Sequence, residues 1–191
     1  MRGRLNPPAD RETISLRDLL RTGRFGRVRD DIRPAEVAGI LGEPSRYEVT
    51  DAGPVFRFGN YELAFFEGTP MYLMNDGLAY RDTGYFRNDK IKIDPDIFGR
   101  RDPLTKPEVA AYLSSIDAGH RDVIWNGHEV ARTNSGVILD FGPDPDGRRT
   151  VCTGIWRHFP EFPSRVRPDP RRGRVASRVE HESHRPKGDD C

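Results

Sequence analysis

The chain has 191 residues, of which 35% are hydrophobic and 32% are charged, so either its buried core is small or part of the chain stays unfolded. The formal net charge is +1, which excludes a strong positive field for attracting nucleic acid. The charge is uneven, because residues 1–162 carry 23 Lys/Arg and 25 Asp/Glu whereas residues 163–191 carry 8 and 5.

The sequence predicts a cytoplasmic protein. No apolar run reaches the roughly 20 residues of a membrane helix, and residues 1–10 contain no secretion signal. The two cysteines, Cys152 and Cys191, cannot form a disulfide framework, which favours a reducing compartment. We expect Cys152 to be a small core residue because it lies in an apolar run.

Two helices are predicted near the start of the chain, after a polar segment at residues 1–12. Apolar residues recur at helical spacing over residues 13–21, and Gly23 ends this short helix. The second helix has Pro34 in its first turn and ends at Gly42.

Four short strands follow the second helix. The pair Gly59-Asn60 separates the second strand from the third and predicts a two-residue hairpin turn. The strands are predicted at residues 46–50, 55–58, 61–66 and 71–74.

The same order then returns in the second half of the chain. A helix opens at Lys106-Pro107 and ends near Gly119, and Asn126-Gly127 predicts a second two-residue hairpin. Before this helix, in the connector of the first half, residues 90–93 alternate between apolar and charged and predict an additional short strand. The strands of this half are predicted at residues 122–125, 128–132, 137–141 and 150–156.

These two runs predict an internal repeat in an α+β protein. Their helices align with an offset of 72, which pairs Glu36 with Glu108 and Leu41 with Leu113. The predicted fold is a helix packed on a four-stranded antiparallel sheet, repeated twice. Its parts are a disordered N-terminus (1–12), a first unit with its connector (13–103), a second unit (104–162) and a disordered basic tail (163–191).

The stretch at residues 25–66 resembles a known kind of domain. Its opening reads FGRVRDDIRPAEVAGILGEP, and its hairpin reads FRFGNYELAFF. The first string is similar to the opening helix of the small lipoproteins of outer-membrane β-barrel assembly and of β-lactamase-inhibitory-protein-like domains. The hairpin, and the string VARTNSGVILDF at residues 130–141, are similar to uncharacterised actinobacterial proteins of this size. The resemblance implies a helix on an antiparallel sheet, in tandem, that binds another protein.

No residue pattern predicts catalysis, a cofactor or a metal. His181 and His184 are three residues apart in the predicted tail, whereas the zinc-protease helix needs a spacing of four. We expect the other three histidines to be ordinary surface residues, and Cys152 has no partnered base in the sequence. Those histidines are His120, His128 and His158.

Aromatic residues crowd positions 56–86 and are the candidate partner-binding site. Sheets covered by helices on one side leave the other side available, and aromatic residues dominate protein interfaces. The predicted contact residues on such an exposed face are Tyr61, Phe66, Tyr80, Tyr85 and Phe86.

The sequence therefore predicts a non-catalytic module that binds another protein, with an immunity or inhibitor protein as its more specific form. One alternative is an enzyme of unfamiliar type with its site between the two sheets. Another is weak nucleic-acid binding through the tail, where residues 171–174 read RRGR. The sequence predicts no oligomeric state.

Overall fold

The computed structural model describes residues 11–79, 90–100 and 102–159. Residues 1–10 of the predicted disordered N-terminus and the whole predicted tail at 163–191 lie outside these ranges. Within them, no helix is long and apolar enough to cross a membrane.

The described residues form three α-helices and ten strands of an α+β protein. The helices are α1 (Leu16–Thr22), α2 (Val37–Leu41) and α3 (Lys106–Ser115). The strands of the first half are β1 (Glu12–Ser15), β2 (Arg46–Thr50), β3 (Gly53–Phe58), β4 (Tyr61–Phe66), β5 (Thr69–Asn75) and β6 (Ile91–Asp94). Those of the second half are β7 (His120–Trp125), β8 (His128–Thr133), β9 (Val137–Pro143) and β10 (Thr150–His158).

The predicted pair of four-stranded sheets is wrong, because one eight-stranded antiparallel sheet runs through both halves in the order β2-β3-β4-β5-β10-β9-β8-β7. The last strands of the two runs, β5 and β10, pair with each other from Asn75↔Ile155 to Tyr72↔His158. A free β5 edge and a free β10 edge would each leave a row of unpaired backbone groups, and their pairing satisfies both rows.

Both predicted two-residue turns are confirmed. Gly59-Asn60 joins β3 to β4, so that Phe58 and Tyr61 are direct cross-strand partners. Asn126-Gly127 joins β7 to β8, with φ of 51° and 86° at the two turn residues. Positive φ at both positions is what a type I′ turn requires, and asparagine and glycine tolerate it best.

The first predicted helix is shorter than residues 13–21 because its first residues belong to β1. This strand pairs in parallel with β6, with Ile14 opposite Ile93, and forms a separate two-stranded sheet. The helix then begins after Ser15, whose hydroxyl accepts the backbone N–H of Asp18 (3.3 Å), and ends at Gly23 with φ of 70°.

All three helices pack on one side of the large sheet, called here the covered face. Leu19 of α1, Leu41 of α2 and Leu113 of α3 are at most 2% exposed and join one hydrophobic core with the sheet. The strand residues of that core alternate along the chain and include Phe56, Phe58, Tyr61, Leu63, Phe65, Leu73, Leu139 and Ile155.

The other side of the sheet, called here the open face, carries the side chains between those core positions. None of the three described helices contributes to it. Its residues along the paired strands include Arg57, Glu62, Tyr72, Met74, Trp156, His158, Ile138 and Arg132.

Candidate binding surface

Tyr61 is not on an exposed face, so its predicted exposure is wrong. Its side chain is 1% exposed and its ring centroid is 5.8 Å from that of Phe25. Burial raises the pKa of Tyr61 to about 12. The reason is the two-residue turn, which makes Tyr61 the direct partner of Phe58 and places both on the covered face.

Phe66 is the one predicted contact residue that is both described and exposed, with 37% of its surface accessible. It is the last residue of β4, away from the middle of the sheet. Tyr80, Tyr85 and Phe86 lie outside the described residues.

The open face instead carries a group of five rings in continuous contact, called here the aromatic cluster. Trp125 is central to it, with ring centroids 5.4 Å from Trp156, 5.5 Å from His158 and 6.2 Å from His128. Tyr72 completes the cluster, at 5.7 Å from Trp156 and 6.4 Å from His158. The two histidines are exposed and the other three side chains are half-buried.

Strand pairing brings the cluster together from three distant parts of the chain. His158 lies opposite Tyr72 at the β5–β10 junction, where the two halves of the sheet meet. Trp125 ends β7, and two strands separate β7 from β10, which corresponds to about 14 Å between their backbones. The two indoles therefore meet above β8 and β9, whose open-face residues Val130 and Ile138 are buried.

A hydrogen bond and an ion pair fix Tyr72, the member of the cluster that comes from the first half of the chain. The hydroxyl of Tyr72 donates to Oε1 of Glu62 (2.7 Å), and Arg57 forms an ion pair with the same carboxylate (3.0 Å). Burial, followed by the nearby Glu62, raises the pKa of Tyr72, which keeps its hydroxyl protonated. The Tyr72 ring is thus held in one orientation.

A glycine makes room for the indole of Trp156. A Cβ atom at Gly154 would come within 3.1 Å of Nε1 of Trp156, closer than most real contacts. The indole N–H is buried and has no hydrogen-bond acceptor within the described part of the chain. Close packing over the glycine backbone fixes this ring.

The histidines of the cluster differ in their electrostatic surroundings. Burial among the rings, and then the positive charge of Arg132, lower the pKa of His158, so it is neutral at pH 7. Nε2 of His128 lies 3.0 Å from a carboxylate oxygen of Asp140 on β9. Both were predicted to be ordinary surface histidines, and the structure shows that they are exposed but in ring contact.

A histidine paired with a carboxylate is also part of catalytic triads, so the surroundings of His128 bear on the enzyme alternative. No serine or threonine hydroxyl and no thiol among the described residues forms a hydrogen bond with His128 or His158. Cys152 is 1% exposed, as predicted for a core residue, and burial raises its pKa, which disfavours the reactive thiolate. Within the same ranges, no three His, Cys, Asp or Glu residues are grouped to hold a metal ion.

Sequence reasoning missed Tyr72, Trp125 and Trp156 as members of one site. Alternation within β10 does put Trp156 and His158 on the same face. Nothing in the local pattern indicates that residues from positions 72, 125 and 156 meet, because the β5–β10 pairing that joins them has no local signal.

Comparisons of the chain with protein-family models, with curated proteins and with solved structures give no match. Function is therefore inferred from the geometry of the open face.

Proposed function

We propose that this protein is a non-catalytic module that binds another protein through the open face of its sheet. The aromatic cluster is the single observation that carries the proposal. Tryptophan and tyrosine are the residues most enriched among those that contribute most to interface energy. Two tryptophans and a tyrosine in contact with each other, on a face that the described helices leave uncovered, are typical of such a surface.

The cluster is also suited to binding because its rings are already ordered. Tyr72 is held by Glu62, and Trp156 is packed over Gly154. A contact surface whose side chains are fixed in advance loses less conformational entropy when a partner binds. With His158 neutral, the middle of the cluster carries no charge that would have to be desolvated.

An inhibitor or immunity protein is the more specific form of this proposal. It rests on the resemblance of residues 25–66 and on a rigid, aromatic surface that could cover a site on another protein. A toxin reading frame beside the gene would support this form over other binding roles.

Two neighbouring residues of β7 provide the test. Trp125 belongs to the aromatic cluster, whereas Ile124 points to the other side of the sheet and is 74% exposed. We expect Trp125→Ser to weaken binding by about 2 kcal/mol or more, roughly 30-fold, because central interface tryptophans carry energy of this order. Ile124→Ser should leave binding unchanged. The measurement is co-purification from cells of the source organism, with quantitative mass spectrometry of the retained proteins.

Thermal unfolding of both variants serves as the control for folding. The proposal is contradicted if folded Trp125→Ser retains the same proteins as the wild type. It is equally contradicted if Ile124→Ser alone loses them, since the contact surface would then lie on the other side of the sheet.

A further inference from the structure

Among the described residues of the open face, one pair of like charges has no neutralising ion pair. Arg121 on β7 and Arg132 on β8 are direct cross-strand partners, and both are exposed. Like charges directly opposite each other on neighbouring strands destabilise a sheet. Within the described residues, neither arginine has a carboxylate within ion-pair distance.

The same sheet pairs its other charges, which makes the arginine pair exceptional. On the covered side of the same hairpin, Asp122 and Glu129 both bind Nζ of Lys106 at 3.0 Å. On the open face, Arg57 is paired with Glu62. A bound anion would neutralise the pair, and arrangements that lower the stability of the free protein are common at functional sites.

A groove lies beside the two arginines, with a volume of about 350 Å³, and its other lining residues are Thr133, Asn134 and Gly136. The backbone N–H groups here are already used, since Asn134 N donates to Gly119 O (2.6 Å) and Gly136 N donates to Thr133 O (3.0 Å). The charged donors offered to a ligand are therefore the two guanidinium groups. Guanidinium groups bind carboxylates in a bidentate geometry, and a carboxylate is the anionic group that the side chains of a protein partner supply.

The groove and the aromatic cluster lie near each other on the open face, where Arg132, Ile138 and Trp156 occupy one cross-strand row. Arg132 lies close enough to His158 to lower its pKa, and His158 is in ring contact with Trp125 and Tyr72. A ligand group in the groove would thus be next to the rings.

From this placement we infer that the groove between Arg121 and Arg132 binds one carboxylate, an Asp or Glu side chain of the protein partner that contacts the aromatic cluster. The inference rests on the proposed function for the source of the carboxylate. The affinity of the groove for a carboxylate can be measured without that partner.

The first experiment uses the full chain at low salt and follows the Arg Nε–H signals by NMR. The probe is N-acetyl-aspartyl-phenylalanine amide, which carries one carboxylate and one ring, and the neutral probe is N-acetyl-asparaginyl-phenylalanine amide. We expect the acidic dipeptide to shift the signals of Arg121 and Arg132 and the neutral dipeptide to leave them unchanged. Arg132→Gln should weaken its binding by about tenfold or more, the loss of one charge-assisted hydrogen bond. The control is Arg46→Gln at the far edge of the same sheet, where Arg46 is paired with Glu48.

Two results would overturn the inference. Equal shifts with the neutral dipeptide, or none with either, would exclude a carboxylate site. Tighter binding of inorganic phosphate than of the acidic dipeptide would assign the groove to a phosphoryl group instead.

A stability measurement checks the like-charge contact independently of any ligand. Arg121→Gln should raise the thermal unfolding midpoint of the free protein, because it removes the repulsion from Arg132. A lower midpoint would show that Arg121 has a structural role and would contradict the inference.

Partner binding separates this inference from the proposed function. If Arg132→Gln keeps the partner as tightly as the wild type while Trp125→Ser loses it, the carboxylate assignment fails and the proposed function stands. If the dipeptide binds at the arginines but Trp125→Ser keeps every partner, the anion site stands and the proposed function fails.

Discussion

Phe65→Ala is expected to lower the free energy of unfolding by about 3–5 kcal/mol, whereas Phe66→Ala should cost less than about 1 kcal/mol. The two residues are neighbours on β4 but face opposite sides of the sheet. Phe65 is 1% exposed and meets the ring of Phe56 edge-on at 5.6 Å. Its removal would leave a cavity in the core under the helices, while Phe66 is partly in water already.

Urea unfolding of both variants measures the difference. The expected result is a much lower midpoint for Phe65→Ala at an unchanged slope, because the slope reports the surface exposed on unfolding. Similar losses for the two variants would mean that the facing of β4 is wrong, and with it the division of the sheet into a covered and an open face.

A second large loss of stability is expected from a substitution in α2. Leu41→Ala should cost about 2–5 kcal/mol, because the side chain is fully buried against the sheet. Gly39→Ala, in the same helix, should instead raise stability by about 0.5–1 kcal/mol. Gly39 is exposed, has helical backbone angles, and has no atom within 4 Å of the position that a Cβ would take.

The two substitutions are expected to change the free energy of unfolding in opposite directions, which makes this pair of variants a test of the helix itself. If α2 is a real, packed helix, only the buried position should be sensitive to loss of volume. A destabilised Gly39→Ala protein, or a Leu41→Ala protein with wild-type stability in urea, would show that this segment is not packed as described.

Much of the local structure was predictable from the sequence because its signals are local. Glycine and asparagine at the turn after Phe58, and again after Trp125, determine two hairpins, since few other residues adopt positive φ without strain. Pro107 in the first turn of α3 marks where that helix begins. Glu108 caps the same N-terminus, because its carboxylate accepts the backbone N–H of Thr105 (2.8 Å).

The arrangement of the strands was not predictable in the same way. The pairing of β5 with β10 joins residues about eighty positions apart, and no turn signal accompanies it. The parallel pairing of β1 with β6 also has no local signal, and the sequence pattern therefore predicts residues 13–15 as part of a helix. Alternation shows that a strand has two faces but not which strand lies beside it.

The predicted exposure of Tyr61 was wrong for a reason that the sequence did contain. A two-residue turn makes its flanking residues direct partners, so Tyr61 had to share the face of Phe58. The aromatic cluster, by contrast, depends on the long-range pairing that places His158 opposite Tyr72.

Solvent labelling of the aromatic side chains, with and without the partner recovered by the wild-type protein, tests the binding role of the open face most directly. Hydroxyl-radical oxidation read by mass spectrometry should fall at Trp125 and Tyr72 when the complex forms. Oxidation should stay unchanged at Tyr47, which is 55% exposed. Tyr47 lies on the covered face, where it is the cross-strand partner of Phe56. Protection of Tyr47 with unchanged labelling of Trp125 and Tyr72 would contradict the account, because the partner would then bind the side of the sheet that carries the helices.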